Sequence, residues 1–466
     1  MPLGGPRGCG IAWEPNLNSA DKPHEIHAER PTNVRWIIFA LSCASSWTLY
    51  VHRYTFALIK PFLIEEYDLT KTQLGWFDTV FSVCYTGFQV PIGILADVIG
   101  AHLVLCGALC VWSLALEGHA LAVGWKSLAA SRAFFGLGQA GCFATLTRTT
   151  KNWFPPSYRS RAQGFIGVFF GRMGGASANI LFATVLIGFL GLEWRYALIW
   201  LVAIGAILAL AVLVFVRDTP RQHPWVNQAE ADLINAGGAD DETDLDAAET
   251  LSWREIRSGM STRSVINVGA LNIQSILSTA ADSLYSLWIP LFLSEVHQLK
   301  FKEMGIYASL PLIGGAIGGA MGGYLNDFWI QRTGNRRWSR SLVAFSGKGM
   351  AGLLLAVAIL FFYDQPRVFC GFLFFVKLFG DWSLTTSWGV ITDIGGKTSA
   401  SIFAYNNSVA GLASMLAPPL FGYMSDALSW KAVFIVAAGI YLACATSWLF
   451  INCTIPVSRE EKGDKP

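Results

Sequence analysis

The sequence predicts an all-α membrane protein: twelve transmembrane helices in two pseudo-symmetric six-helix bundles. Three observations carry this. First, only 14% of the 466 residues are Asp, Glu, Lys or Arg, and 53% are hydrophobic, whereas a soluble domain is about a quarter charged. Second, the charges gather between apolar stretches of about 20 residues or more, the length that crosses a bilayer. Third, short patterns recur half a chain apart. Gly93-Ile94-Leu95-Ala96-Asp97, closed by Gly100, returns as Gly323-Tyr324-Leu325-Asn326-Asp327. Leu192-Glu193-Trp194-Arg195 returns as Leu428-Ser429-Trp430-Lys431. A duplicated membrane chain points to a carrier whose two repeats enclose a site near the midplane.

The elements follow in order. Residues 1–33 form a polar tail, read as cytosolic, without the apolar core and cleavage site of a secretory signal. Apolar spans one to six fall at 34–59, 74–96, 102–123, 126–150, 163–191 and 194–216, making an N-terminal bundle over 34–216. The stretch 217–264 carries the acidic run Asp240, Asp241, Glu242, Asp244 and Asp246 and reads as a cytosolic linker. Spans seven to twelve fall at 265–293, 304–326, 341–363, 367–390, 400–425 and 430–452, making a second bundle over 265–453, followed by a tail at 454–466. Basic residues gather in the loop after span four (Lys151, Arg159, Arg161), after span eight (Arg332, Arg336, Arg337, Arg340) and in the linker. By the excess of Lys and Arg in cytoplasmic loops, both termini are expected inside a plasma or inner membrane. Gly314, Gly315, Gly318, Gly319, Gly322 and Gly323 in span eight, with spacings of four, are expected to line one face for close helix packing. Pro418-Pro419 is expected to bend span eleven.

Composition also excludes. A net charge of +2 argues against nucleic acid as partner, and the nine cysteines form no metal or redox spacing. No Ser/His/Asp set or Cys/His pair suggests an enzyme. No cofactor is expected. The partners implied are the lipid bilayer and a small solute, and a monomer is expected.

The repeated Gly-x-x-x-Asp pattern, the two six-span halves and the long central loop resemble the major facilitator superfamily over almost the whole chain. Trp36-Ile37-Ile38 leading to Tyr50-x-x-Arg53 is similar to its anion:cation symporter branch, which includes carriers of hexuronates, galactonate, sialic acid and glutamate. So are Arg132-x-x-x-Gly136-x-Gly138-Gln139-Ala140, Trp153-Phe154-Pro155 with Arg159 and Arg161, and Asp218-Thr219-Pro220. The resemblance implies a secondary transporter of a small organic anion by alternating access, with protons as the usual coupling ion. It also implies that Asp97 and Asp327 serve in gating. Ala101 and His102 stand where the family has basic residues after the first copy, while Arg332, Arg336 and Arg337 follow the second. The first latch is therefore expected to be the weaker.

Arg53 is the sharpest site candidate. Apolar helix flanks it on both sides, and a guanidinium at such depth costs about 3 kcal/mol on insertion scales, so it needs a partner or a wet cavity. Its fork suits a carboxylate. Arg132 is expected to assist or gate. Tyr50, Tyr85, Gln89, Gln139, Asn406 and Asn407 are candidate polar contacts, with helix–helix hydrogen bonds as the other reading. The branch often has Asp where this chain has His52, and Glu where it has Gln139. Gln139 does not titrate, so His52 and Asp282 remain as candidate proton sites. For Lys377 and Asp381 a helical i, i+4 pair is expected. Arg148 and Arg172 receive no assigned role. Two other readings fit the same spans: a carrier of another solute (a neutral sugar, a phosphate ester or a drug-like molecule), with Arg53 locked in a protein ion pair, and a non-transporting receptor.

Overall fold

The computed structural model describes residues 30–235 and 260–457. The acidic run of the linker lies outside them. Nine helices among the described residues are long and apolar enough to cross a membrane, and a tenth span is bent by 48° between Thr262–Leu287 and Ile289–Glu295. Span four is a broken pair, Trp125–Ala140 and Cys142–Trp153, and span eleven is Ser399–Ala427. These fill the twelve places of the predicted fold.

Span one differs from its expected extent. It runs Val34–Tyr67 rather than stopping at Lys60. Lys60 is wholly buried and paired with Asp78, so its charge does not end the apolar segment. At the other end Glu230, from the short helix Gln228–Asn235, accepts from the backbone N–H groups of Val34 and Arg35 at 3.0 Å each. A carboxylate there satisfies orphan donors and complements the helix dipole.

Spans four and ten break at matching depths, at Gly141 and at Asp381. Span five (Arg161–Phe189) is wound as π-helix over Phe165–Phe169 and Asn179–Phe189, with Arg172 on the α-helical turn between. Single-turn π segments often mark functional positions in helices. The glycine stripe of span eight packs on span ten (Pro366–Gly395). A Cβ at Gly314, Gly318 or Gly322 would overlap the carbonyl oxygens of Phe374, Leu378 and Trp382. Leucine-sized residues there would force the two backbones apart.

Val34 and Ser447 begin and end the spans on one side, here the terminal face; the opposite side is the far face. The halves are sealed at the far face. Asp426 of span eleven accepts from the Thr72 N–H and hydroxyl at 2.9 Å each, and Lys71 lies 3.4 Å from both Glu295 and Asp426. Phe62 stacks on Phe301 with centroids 4.9 Å apart, and Thr184 donates to the Lys302 carbonyl at 3.0 Å. Deeper in, Ser82 donates to Ser414 O at 3.2 Å. The contacts that join the halves run from Arg172 with Asp282 and Asp381 near mid-span to Asp426 with Thr72 at the far face. The cavity between them therefore faces the terminal side.

Candidate binding site between the two halves

Three charged groupings surround a cavity of about 320 Å³ that both halves line. The first is Arg53, on span one. Its Nε donates to Gln139 Oε1 at 2.9 Å, and the Gln139 amide donates to Leu49 O at 3.0 Å. The Gln139 oxygen is thereby committed to Arg53. The guanidinium carbon stands 5.2, 5.1 and 4.6 Å from the ring centroids of Tyr50, Phe81 and Tyr85. Aromatic faces offset part of its desolvation and hold its plane. Its Nη2 is buried with no acceptor, and no carboxylate pairs with it among the described residues.

The second grouping is a triad. Asp78 of span two (Lys71–Ile99) accepts from Lys60 Nζ and from Arg132 Nη2, at 2.8 Å each. Arg132 is 1% exposed and Lys60 is fully buried. Lys60 also donates across the interface to Leu287 O at 2.9 Å. Arg132 Nη1 is buried without an acceptor. Burial inside the helix bundle rules out snorkelling to the membrane interface as the role of Arg132.

The third grouping joins the halves. Arg172 Nη1 lies 3.3 Å from Asp282 Oδ1, and its Nη2 lies 2.9 Å from Asp381 Oδ2. Lys377 donates to Asp381 Oδ1 at 2.7 Å and also to Asp282. The expected Lys377–Asp381 helical pair is present, but it is half of a four-member ring that Arg172 closes from the opposite bundle.

The candidates read from sequence separate here. Tyr50, Arg53, Arg132 and Asp282 line the cavity. Tyr85 and Gln139 stand behind Arg53 and hold it. His52 points the other way, its Nε2 2.9 Å from Leu201 O on span six (Trp194–Phe215). Asn406 is taken by neighbouring helix side chains, accepting from Ser275 Oγ at 2.9 Å and donating to Asn272 Oδ1 at 3.0 Å. Asn407 is exposed and, like Gln89, lies outside the cavity wall. The sequence reading missed Lys60, Asp78 and the role of Arg172. A signal existed: each is a charge inside an apolar run, which is a functional flag in membrane helices.

At the terminal face the two Gly-x-x-x-Asp copies pair differently in this conformation. Asp97 pairs with Arg148, which arrives from the end of span four rather than from the adjoining loop. His102 lies 2.8 Å from Asp218 through Nδ1, and its N–H donates to the same carboxylate. Gly100 (φ 101°) permits this turn, and a Cβ there would overlap Asp218. Asp327 has no ion-pair partner among the described residues. Two of the basic residues after it turn to another acid: Arg340 lies 3.0 Å and Arg336 3.8 Å from Asp393. Among the described residues no group of three or more His, Cys, Asp or Glu could hold a metal ion.

The chain is similar to carriers throughout its length. It is 29% identical over 430 residues to a probable sulfoacetate transporter, SauU, of Cupriavidus necator, covering 92% of this chain and 96% of that one. It is 27% identical to a hexuronate transporter of Bacillus subtilis, with coverages of 89% and 93%. Its fold matches the crystal structure of a bacterial homologue of the human lysosomal transporter Spinster, in an inward-facing, unoccupied conformation. That match has a TM-score of 0.70 at 17% identity and covers 90% of this chain and 98% of that one. The D-xylose–proton symporter matches with a TM-score of 0.68 at 12% identity, with coverages of 90% and 98%. The family model described as Major Facilitator Superfamily matches residues 36–356 and 328–466. The resemblance first read from the paired Gly-x-x-x-Asp patterns is borne out, and the chain belongs to the Major Facilitator Superfamily.

Proposed function

We propose that the protein is a secondary transporter that moves a small organic anion through the cavity by alternating access. One observation carries this reading: among the described residues Arg53 stands in the cavity wall with a buried, unpartnered Nη2 and no carboxylate of its own. An intramembrane guanidinium left this way awaits an anion. Gln139 and the Tyr50, Phe81 and Tyr85 rings fix its position, so little ordering remains to be done on binding. Relatives named for hexuronate, galactarate/D-glucarate and sulfoacetate transport support a carboxylate or sulfonate ligand.

The bundles 34–216 and 265–453 are the two moving bodies, 217–264 joins them, and the terminal face is cytoplasmic. Anion enters from that face in the conformation described, or leaves by it. The far-face contacts of Asp426 with Thr72 and Lys71 must part for the opposite opening. Ser283, Ser286 and Ser414 offer hydroxyls from the second bundle to the remaining polar groups of the ligand.

Uptake of labelled hexuronates, aldarates and sulfoacetate into proteoliposomes tests this. Arg53→Ala should lower uptake by about thirtyfold or more, the cost of losing a charge-assisted anchor, without altering the melting temperature of the purified protein by more than a few degrees. Unchanged anion uptake in Arg53→Ala sinks the assignment. Uptake of neutral sugars alone would make the protein a carrier of another class.

A further inference from the structure

The charge balance of the cavity specifies more than a single acidic group. Five basic side chains stand in or against its wall: Arg53, Lys60, Arg132, Arg172 and Lys377. Three carboxylates meet them: Asp78, Asp282 and Asp381. Arg172 and Lys377 are matched by Asp282 and Asp381. Lys60 and Arg132 share Asp78, and Arg53 has no carboxylate among the described residues. The surplus is two positive charges, both on the wall of the first bundle. A sixth cation, Lys348, lies behind the opposite wall, donating to Ser278 Oγ at 2.8 Å and standing 5.3 Å from the Tyr441 ring. Its charge would only enlarge the surplus.

The surplus is also focused. The guanidinium carbons of Arg53 and Arg132 lie 5.1 and 4.7 Å from the centroid of the same ring, Phe81, so they are no farther apart than those two distances laid end to end. Each keeps one buried nitrogen without an acceptor, Nη2 of Arg53 and Nη1 of Arg132, and both residues line the cavity. An alternating-access carrier passes through a state sealed from both sides. Uncompensated charge sealed at that depth is costly. A singly charged ligand leaves at least one positive charge on the cavity wall unmatched; a doubly charged ligand matches both surplus charges of that wall.

We propose that the ligand is a small dianion, one acidic group on Arg53 and the other on Arg132. This rests on the organic-anion reading above. The test uses matched pairs that differ by one charge, D-glucarate against D-gluconate and sulfoacetate against sulfoacetamide, with binding read from thermal shifts of the purified full chain. In the wild type the dianion of a bound pair should bind about tenfold tighter or more. Arg132→Gln removes one surplus charge and leaves Lys60–Asp78 intact, so the gap should shrink to about threefold or less. Lys60→Gln removes one surplus charge outside the cavity wall and should also narrow it, which guards against misfolding of the first variant. Equal affinities within each pair in the wild type would overturn the dianion and leave the organic-anion reading standing. A gap that survives both variants would overturn the charge-balance argument. Binding of no member of either pair would overturn both readings.

Discussion

Asp78 and Asp282 face one cavity from opposite walls, and each is held by one lysine and one arginine. Asp78 holds Lys60 and Arg132; Asp282 holds Lys377 and Arg172. The difference lies in what else those cations touch. Lys377 and Arg172 both reach a second carboxylate, Asp381, so their ring is neutral and redundant. Among the described residues Lys60 and Arg132 have Asp78 as their one carboxylate, so their triad carries an excess charge. The ring spans the two bundles, whereas the triad's ion pairs lie within the first. On the reading proposed above, the triad keeps its charge available to a ligand. The ring is arranged to tie two bodies that must move relative to each other.

The largest expected effect follows from that redundancy. Asp78→Asn strips both buried cations of their only carboxylate, and breaking a buried pair in this way costs about 3–5 kcal/mol. Asp381→Asn leaves Asp282 in contact with both cations of the ring and should cost well under half as much. Equilibrium unfolding of the two variants in mild detergent compares them directly. Equal losses would mean that the ring and the triad are the same kind of structure. Lys60→Gln added to Asp78→Asn should recover part of the loss.

A middle-sized effect separates tying from binding. Arg172→Gln removes the only member of the ring contributed by the first bundle. It should shift the balance between far-face-closed and far-face-open conformations by about 1 kcal/mol, several-fold in population. Spin labels at the exposed Leu95 and Tyr324, on the terminal halves of spans two and eight, would report the change as redistributed distances. Asp78→Asn should leave those distances in place at temperatures where it stays folded. Identical distributions for Arg172→Gln and wild type would show that the ring does not connect the bundles energetically.

Much of this comparison was open to the sequence, and its limits are physical. Period and composition reveal the spans because a bilayer demands about 20 apolar residues each. The repeat reveals the bundles. Arg53 was legible because a guanidinium deep in an apolar run has few bland explanations. Asp78 was not singled out because one acid within an apolar span does not disclose its partners, and Lys60 was taken for the end of span one. Lys60 and Arg132 reach Asp78 from other helices, 18 and 54 residues away in the chain. Arg172 was visible but silent for the same reason: its partners lie 110 and more residues away. His52 and Arg53 adjoin in sequence, yet helix geometry turns them toward different neighbours. Adjacency along a helix is a poor guide to a shared site.

The smallest effect concerns the terminal face, where the two Gly-x-x-x-Asp copies differ in their ion pairing. Asp97 has Arg148, but the aspartate side chain is 70% exposed and the arginine 35%. A pair so open to water is worth about 0–1 kcal/mol and is screened further by salt. Among the described residues Asp327 has no ionic partner to lose in this conformation, since Arg336 and Arg340 turn to Asp393. Asp97→Asn should therefore change the initial uptake rate by about two- to fivefold at low ionic strength, and less at high salt. Asp327→Asn should change it by less than about twofold at either. If Asp327→Asn had the larger effect, its partner would form only when the terminal face closes. The Arg332, Arg336 and Arg337 cluster that follows it in sequence would then act in that closed state, and the two halves would take turns at latching.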